Sequence, residues 1–409
     1  MTREAAQPLR ILILGDYGIA QGGAEVSMLQ LRTGLRQRGH EVMLLSSSAG
    51  AKSNPGLPSF SDRQVFGTDT SLRTLVQTRN PIAMRQVRKT VRAFKPDLVH
   101  LNMFLTQLSP DVLDALEGVP VLHMAHWYRL ICMTGLKMLP DGKSCPYPAG
   151  RACLENRCIP LRDWLLLTWQ LRRLQQKRKA IHAIVVASKT VRERLEKEGV
   201  QVDFVIPYGI DPLPPRPPLT DPPRVGFAGR LVAAKGGEIL IRAFASVLTS
   251  LPDCRLDIFG AGDEYSRLCA LCQSLGISSR VEFHGWLDPD ELHQRMARCW
   301  VHAAVSVFEE PFGITAVEAA MRGTAVVATD NGGFRETIIE DVTGLLVPPQ
   351  DIAATASALS RLLGNRELAE RMGQAGRRHA EANFGMERFI DSTLAACRET
   401  MRRQRAHAC

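Results

Sequence analysis

Several features that would narrow the function at once are missing from this sequence of 409 residues. It contains no run of about 18 apolar residues, so no transmembrane helix is predicted. The opening residues, MTREAAQPLR, lack the apolar core of a secretory signal peptide. Aromatic residues make up only 6% of the chain, and no aromatic-interleaved basic motif indicates nucleic-acid binding. We therefore expect a cytoplasmic protein, with contact at the cytoplasmic face of a membrane left open.

A dinucleotide-binding fingerprint is also missing. No G-x-G-x-x-G follows the first predicted strand, LRILILG (9–15), and the GAG of residues 260–262 is a single G-x-G. Phosphate-binding turns of this kind need several glycines in fixed positions, so a dinucleotide-dependent oxidoreductase is disfavoured.

Positive charge is present but unevenly distributed. The net charge is +9, and residues 1–220 hold 30 Lys and Arg against 18 Asp and Glu. Residues 221–409 hold 21 against 24. A basic half favours polyanionic partners such as an anionic membrane surface, although solvated surface charge explains the same count.

Predicted strands and helices alternate along both halves. After the first strand come the predicted strands EVMLLSSS (41–48), KPDLVHLN (95–102), PVLHMA (120–125) and AIVVAS (183–188). Near-continuous apolar strands separated by helices are typical of parallel sheets covered on both faces. The sequence therefore predicts an α/β protein.

A proline-rich segment divides the chain. Residues 212–223 read PLPPRPPLTDPP, with seven prolines in twelve positions, which predicts a stiff extended linker. The strand–helix pattern restarts at RVGFAGR (224–230). We predict an N-terminal domain over 1–211, with a Cys-rich insertion at 132–158, and a C-terminal domain over 224–409 whose last helices cross back to the N-domain. Ligands of such sheets bind beyond the carboxyl ends of the strands.

Three segments of the second half combine glycine with charge at a strand-to-helix turn. One of them, NGGFRE (331–336), would supply further backbone donors and Glu336, or is an ordinary tight turn. GRLVAAKG (229–236) carries Arg230 and Lys235, two cations that suit a diphosphate or are simply exposed loop residues. EPFGITAVE (310–318) places Gly313 before a helix, so the N–H groups of Ile314 and Thr315 would face an anion.

Glu318 has two possible roles on the sequence alone. Thr315 and Glu318 form T-x-x-E, a capping box in which the glutamate would bind its own helix end. Glu310 and Glu318 would otherwise both accept hydrogen bonds from a ligand. A nucleotide sugar explains acids beside a phosphate site, because its hydroxyls flank its diphosphate.

These motifs resemble the retaining, nucleotide-sugar-dependent glycosyltransferases of the group that includes glycogen synthase and bacterial mannosyltransferases. The resemblance covers nearly the whole chain and rests on GR…KG (229–236), the E-x7-E of 310–318, AMRGTAVVAT (320–329), NGGFRE (331–336), QGGAE (21–25), KPDLVH (95–100) and VIPYGID (205–211). It implies the GT-B fold, in which two doubly wound, Rossmann-like domains face each other across a cleft.

The resemblance also implies roles for individual residues. In the second domain, Arg230 and Lys235 would hold the donor diphosphate, Glu310 the transferred sugar and Glu318 the ribose. Backbone groups of the glycine-rich turns would complete the donor site, namely those of Gly229, Gly313, Ile314 and Thr315.

In the first domain, Gly22 and Gly23 would lie against the diphosphate or the acceptor. His126, with His123 as second choice, would contact the sugar, although either could be a buried structural histidine.

The implied reaction is front-face displacement with retention, without a catalytic cofactor. Cations and N–H groups would stabilise the charge on the departing phosphate. The acceptor would be a glycan or a polyprenyl- or other lipid-linked molecule of cell-surface polysaccharide or glycolipid assembly. The alternatives are a nucleotide-sugar epimerase and a non-catalytic nucleotide-sugar-binding protein.

Two further segments leave their role open. RDWLLLTWQLRRLQQKRKAIH (162–182) predicts a basic amphipathic helix that either lies on an anionic membrane or buries its apolar side in the core. Cys132, Cys145, Cys153 and Cys158 are spaced C-x12-C-x7-C-x4-C. They would hold a structural zinc or an iron–sulfur cluster, or else be free thiols or two disulfides.

Overall fold

The computed structural model describes residues 7–20, 22–50 and 58–408. These residues form two compact units, each with its own sheet and core. The N-terminal unit comprises the described residues of 1–140, 145–207 and 389–409, and the C-terminal unit comprises 141–144 and 208–388. Both sheets are parallel and covered by helices, which confirms the α/β class and the two Rossmann-like sheets.

The N-terminal sheet has seven strands in the order β3-β2-β1-β4-β5-β6-β7. The strands are β1 Arg10–Gly15, β2 Glu41–Ser47, β3 Arg63–Val65, β4 Leu98–Leu101, β5 Val121–Met124, β6 Ala183–Val186 and β7 Phe204–Val205. The helices are α1 Gly23–Gln37, α2 Arg73–Thr78, α3 Pro81–Phe94, α4 Arg151–Glu155, α5 Leu161–Lys177 and α6 Lys189–Glu196. The apolar run Ile11–Leu14 is fully buried, as a central parallel strand requires.

Local sequence fixes the ends of these helices. Asn80 caps α3 by accepting a hydrogen bond from the N–H of Ala83, and Pro81 occupies the first helical position. Lys95 ends the same helix in the left-handed conformation. The chain therefore turns from α3 into β4 over a few residues.

The C-terminal sheet has six strands in the order β10-β9-β8-β11-β12-β13. The strands are β8 Arg224–Ala228, β9 Arg255–Phe259, β10 Val281–Gly285, β11 Val301–Ala304, β12 Ala325–Thr329 and β13 Gly344–Val347. The helices are α7 Gly237–Val247, α8 Tyr265–Ser274, α9 Pro289–Met296, α10 Ile314–Met321, α11 Phe334–Thr337, α12 Ile352–Leu363, α13 Arg366–Asn383 and α14 Met386–Ala408. Of these, α14 contributes its residues from Phe389 onward to the N-terminal unit, where Arg403 pairs with Asp203 at 2.6 Å.

The proline-rich segment 212–223 has no helix or strand and packs along the C-terminal unit. The N–H of Arg216 donates to the carbonyl of Arg322 at 2.8 Å, and the indole N–H of Trp300 donates to Thr220 at 2.8 Å. Within the described residues, every helix is too short or too polar to cross a membrane.

Candidate donor and acceptor sites

Three loops meet at the carboxyl edge of the C-terminal sheet. They follow β8, β11 and β12, which are adjacent in the sheet order. Each loop carries one of the motifs predicted to bind a ligand. Because the strands are parallel and adjacent, all three motifs lie at one edge.

Lys235 and Glu310 form the charged centre of this edge. The Nζ of Lys235 lies 2.7 Å from Oε2 of Glu310, and the hydroxyl of Ser306 donates to the same oxygen at 2.9 Å. Lys235 also lies over the Phe308 ring, 5.1 Å from its centroid. The side chains are only 25% and 13% exposed, so both charges are partly desolvated and their positions are restricted. Two of the partners, Ser306 and Phe308, were not predicted from the sequence.

Backbone hydrogen bonds hold the three loops in register. The N–H of Val307 donates to Ala234 at 2.8 Å, which joins the second loop to the first. The N–H of Gly333 donates to the carbonyl of Glu310 at 2.7 Å, which joins the third loop to the second. The amide of Asn331 adds a bond to the Ser306 carbonyl at 3.3 Å. Glu310 is thus held through both its backbone and its side chain.

Glycine is required at two positions of these loops. Gly313 has φ +91°, and a Cβ there would lie 2.3 Å from the Phe334 ring. Gly332 has φ +54°, and its Cβ would lie 2.2 Å from the carbonyl oxygen of Glu310. Any larger residue would strain the backbone and push the loops apart.

The helix α10 begins with free N–H donors. Gly313 is its N-cap residue, and the N–H of Ala316 donates to the Gly313 carbonyl at 3.0 Å. Among the described residues, the N–H groups of Ile314 and Thr315 have no acceptor. A helix N-terminus with free donors favours an anion, so it fits a phosphate group.

The capping-box interpretation of Glu318 is wrong. Thr315 is the second residue of α10 rather than its N-cap, and no side chain caps this helix. Its hydroxyl instead lies 3.3 Å from Nε2 of the buried His302. Burial raises the pKa of Glu318 to about 7, and the charge of Arg322 opposes that shift. Within the described part of the chain its carboxyl group has no hydrogen-bond partner, so it is free to accept hydrogen bonds from a ligand.

Gly229 and Arg230 follow β8. The N–H of Gly229 donates to Phe259 at 3.0 Å, which fixes the start of the loop. Arg230 is exposed, and its guanidinium has no hydrogen-bond or ion-pair partner among the described residues. A cation in this state is available for an incoming anion.

The glycine-rich loop of the N-terminal unit starts α1. Gly22 is the N-cap residue, Gly23 is the first helical residue, and no side chain caps the helix. Gln21 of the predicted motif lies outside the described residues. Bare glycine at a helix N-terminus lets a ligand approach the backbone closely.

The predicted histidines lie at the carboxyl end of β5. The ring Nε2 of His126 is 3.1 Å from Oδ1 of Asn102, whose amide lies 2.9 Å from Nδ1 of His100. His123 bonds the Leu101 carbonyl through Nδ1 at 3.0 Å. Burial, with smaller contributions from the charges of His123 and His100, lowers the pKa of His126 to about 3. His126 is therefore a neutral hydrogen-bonding group rather than a proton donor near pH 7.

Sequence reasoning missed the buried carboxylate that shapes the loop after β4. Asp16, directly after β1, accepts hydrogen bonds from the backbone N–H groups of Thr106, Gln107 and Leu108 at 2.7 to 2.9 Å. Burial raises the pKa of Asp16 to about 6 against the effect of these bonds. The sequence signal that could have indicated Asp16 was a single acidic residue directly after an apolar strand.

The four clustered cysteines are free thiols in this structure. Burial raises the pKa values of Cys153 and Cys158, and the neighbouring cysteines add to that effect. Among the described residues, one group of metal-binding side chains has its ligand atoms within 4.8 Å of each other, namely Asp257, Glu282 and His284. The cysteines form no such group, so as placed they do not fit a four-thiolate shell, and the metal stays a prediction.

The acidic group on β9 and β10 is an ion-pair network. Asp257 accepts hydrogen bonds from Arg224 at 2.9 Å, and its other partner, His284, lies beside Arg295. Arg224 neutralises Asp257, and Arg295 is itself paired with Glu291, so we interpret this group as an ion-pair network that stabilises the sheet edge.

Comparison with known proteins supports the same class. Residues 213–379 match the family "Glycosyl transferases group 1", and residues 21–212 match "Glycosyltransferase Family 4". D-inositol 3-phosphate glycosyltransferase from Corynebacterium jeikeium is 31% identical over 69% of this chain and 68% of its own length.

Solved structures show the fold. Sucrose-phosphate synthase from Thermosynechococcus elongatus aligns with a TM-score of 0.74 at 21% identity, covering 96% of this chain and 98% of its own. HepE from Anabaena, in complex with UDP-glucose, aligns with a TM-score of 0.69 at 20% identity, covering 95% and 100%.

The fold and the donor-type loops thus define a GT-B protein. The chain belongs to the group 1 glycosyltransferases and is a nucleotide-sugar-dependent transferase. Enzymes of this group need no catalytic cofactor.

Proposed function

We propose that the protein is a retaining glycosyltransferase. It would transfer a sugar from a nucleotide diphosphate donor to a glycan or lipid-linked acceptor, in the assembly of a cell-surface polysaccharide or glycolipid. It would work in the cytoplasm, at the cytoplasmic face of the membrane. The observation that carries the donor assignment is the pairing of Lys235 with Glu310 beside the free N–H groups of α10.

The C-terminal unit is proposed to hold the donor. The diphosphate would accept hydrogen bonds from the N–H groups of Ile314 and Thr315. It would also pair with Lys235 and the exposed Arg230. These groups are fixed before the ligand arrives, so they stabilise the charge that develops on the leaving phosphate without reorganisation. Because Gly229 and Gly313 have no side chain, the diphosphate can approach the backbone closely at these positions. Glu318 would accept hydrogen bonds from the ribose hydroxyls.

Glu310 is proposed to bind the transferred sugar. Its Oε2 is taken by Lys235 and Ser306, while Oε1 accepts no hydrogen bond from any described residue. A sugar hydroxyl would donate to that free oxygen. The ion pair with Lys235 and the Ser306 hydrogen bond orient Glu310. In this proposal no step requires it to become a covalent nucleophile.

The N-terminal unit is proposed to take the acceptor, within the predicted domain 1–211. His126 would offer a neutral ring to a sugar hydroxyl, and Asn102 would fix the ring's orientation. Gly22 and Gly23 would let the ligand approach α1. The departing phosphate would accept the acceptor's proton.

A panel of nucleotide sugars tests this proposal through the melting temperature of the protein. A true donor stabilises by about 2.7 kcal/mol at a hundredfold excess over Kd, and therefore raises Tm. With acceptor extracts, it should also release nucleoside diphosphate. Conversion of the donor alone into an isomer would instead indicate an epimerase, and binding without any turnover would indicate a non-catalytic protein.

A further inference from the structure

One surface of the N-terminal unit combines exposed apolar side chains with unpaired cations, and α5 is its central element. The inner side of α5 is core, because Leu167, Leu171 and Leu174 are buried. Its outer side carries Leu161 and Leu165, each 58% exposed, and Trp169, 40% exposed. These three are spaced by four residues, so they form a single stripe along the helix. The sequence left two alternatives for this segment, an apolar side buried in the core or an apolar side lying on a membrane. In the structure the inner side of α5 is core, and the outer side carries the exposed apolar stripe.

The helix α2 lies beside α5 and extends the apolar stripe. The amide of Gln170 on α5 donates to the Gln77 carbonyl on α2 at 2.5 Å, and the Thr78 hydroxyl donates to the Leu166 carbonyl at 3.3 Å. Further exposed large apolar residues lie on α2, its N-cap and the start of α3, namely Leu72, Leu75 and Ile82. Scattered apolar residues are ordinary on a surface, but six on contacting and consecutive helices are not.

The helix α3 supplies the positive charge. Arg85, Lys89 and Arg92 recur along its exposed side and line a shallow depression together with Arg88. None of these three outer cations has an ion-pair partner among the described residues. Residues 71–95 hold seven Lys and Arg and no Asp or Glu.

The surface remains basic because the nearby acidic residues already form ion pairs with other cations. The segment Pro110–Ala115 lies between α3 and α5, and its Asp111 and Asp114 pair with Arg173 and Lys177 of α5. These two acids thus pair with cations of α5, while the outer cations of α3 remain available. The surface has apolar residues on one side and cations on the other.

We propose that this surface, formed by α2, α3 and the outer side of α5, docks the enzyme on an anionic lipid bilayer. The inference rests on the proposed function at the cytoplasmic face of a membrane and names the surface that reaches it. Leucine and tryptophan enter the boundary between headgroups and acyl chains, and Arg and Lys bind anionic headgroups. A protein partner would instead be expected to supply acids in a fixed pattern, whereas here the cations are spread along a helix.

Vesicle co-sedimentation of the full-length protein tests the proposal. Phosphatidylcholine vesicles with added phosphatidylglycerol should bind the protein, and phosphatidylcholine vesicles alone should bind it much less. Binding should weaken as salt is raised, because headgroup attraction is screened. Equal binding to both vesicle types, or to neither, would overturn the proposal.

Two variants separate the apolar and charged parts. The triple variant Arg85→Gln, Lys89→Gln, Arg92→Gln should weaken binding at least about tenfold. The double variant Leu165→Gln, Trp169→Gln should weaken it as well. All five side chains point outward, so the fold should survive, and either variant tests the surface alone if the other misfolds.

A matched control removes three exposed cations from the C-terminal unit, as Arg371→Gln, Arg378→Gln, Arg388→Gln. It should bind vesicles like the wild type, and an equal loss there would show that total charge, not this surface, governs binding. Dimerisation that buries the patch, seen by ultracentrifugation with no vesicle binding, would also overturn the proposal.

Donor binding keeps the two proposals distinct. The surface variants should retain the nucleotide-sugar shift in melting temperature. Vesicle binding by a protein that binds no nucleotide sugar would contradict the proposed function but leave the docking surface intact.

Discussion

Donor affinity should depend on pH through Glu318. Burial raises the pKa of this carboxyl group from 4.5 to about 7, so it changes charge near neutral pH. The ionised form accepts charge-assisted hydrogen bonds at both oxygens, whereas the neutral acid uses one oxygen as a donor and makes weaker bonds with the other. At about pH 6 roughly a tenth of the molecules carry the carboxylate, and at about pH 8 roughly nine tenths do. Donor binding should therefore strengthen about tenfold across that range.

The same shift affects stability with a defined sign. Because the pKa is higher in the folded protein, Glu318 favours folding fully below pH 4.5, and that contribution is lost as the pH rises through about 7. The difference is about 3 kcal/mol. Glu318→Gln, which stays neutral and keeps the shape, should therefore stabilise the protein at alkaline pH while weakening donor binding.

Isothermal titration calorimetry with an intact nucleotide sugar is the appropriate assay, since its diphosphate loses no proton near neutral pH. The wild type should show the rise in affinity, and Glu318→Gln should bind weakly at every pH. A flat profile in the wild type, or an equal rise in the variant, would refute the assigned role of Glu318.

Further predictions concern the remaining groups of the donor site and the cysteines. Lys235→Ala should lower turnover by orders of magnitude with the fold intact by circular dichroism, because it removes a fixed cation from the leaving phosphate; near-wild-type turnover would contradict its role. Glu310→Ala should impair transfer more than binding of nucleoside diphosphate alone, as measured by kinetics and titration, and equal losses would place Glu310 elsewhere. Ser306→Ala should lower kcat by about tenfold or more with little change in nucleoside diphosphate affinity, since it loses one hydrogen bond to the Glu310 carboxylate; an unchanged kcat would mean that Lys235 alone positions the carboxylate. Metal analysis of anaerobically purified protein should find about one zinc or iron–sulfur cluster per chain if the predicted site at Cys132, Cys145, Cys153 and Cys158 exists, and its absence would leave free thiols or disulfides.

The central strands of both sheets were readable from the sequence because parallel strands are buried on two faces. The edge strands β3 and β7 were not predicted, since they have only three and two residues. The predicted strands extend too far at their carboxyl ends. For example, the predicted strand RVGFAGR runs to residue 230, whereas β8 ends at Ala228. Gly229 and Arg230, which follow Ala228, belong to the loop after β8. Hydrophobicity marks burial, and it cannot mark where the ladder of hydrogen bonds ends.

The donor motifs were predicted, but their mutual contacts were not. Nothing in the local sequence shows that Lys235 and Glu310 pair, since they lie 75 positions apart and meet only through the strand order. The capping box at Thr315 failed for a local reason, because Gly313 already takes the N-cap position. Asp16 was missed because its partners lie about 90 residues away.

The anomeric configuration of the first product tests the central claim most directly. Proton NMR can follow the sugar released when the protein turns over a nucleotide sugar, with an acceptor or with water in its place. The account predicts that nucleoside diphosphate appears together with a product of the donor's own configuration, and that Lys235→Ala lowers the formation of both by orders of magnitude. An inverted product, or an isomerised donor with its nucleotide still attached, would contradict it.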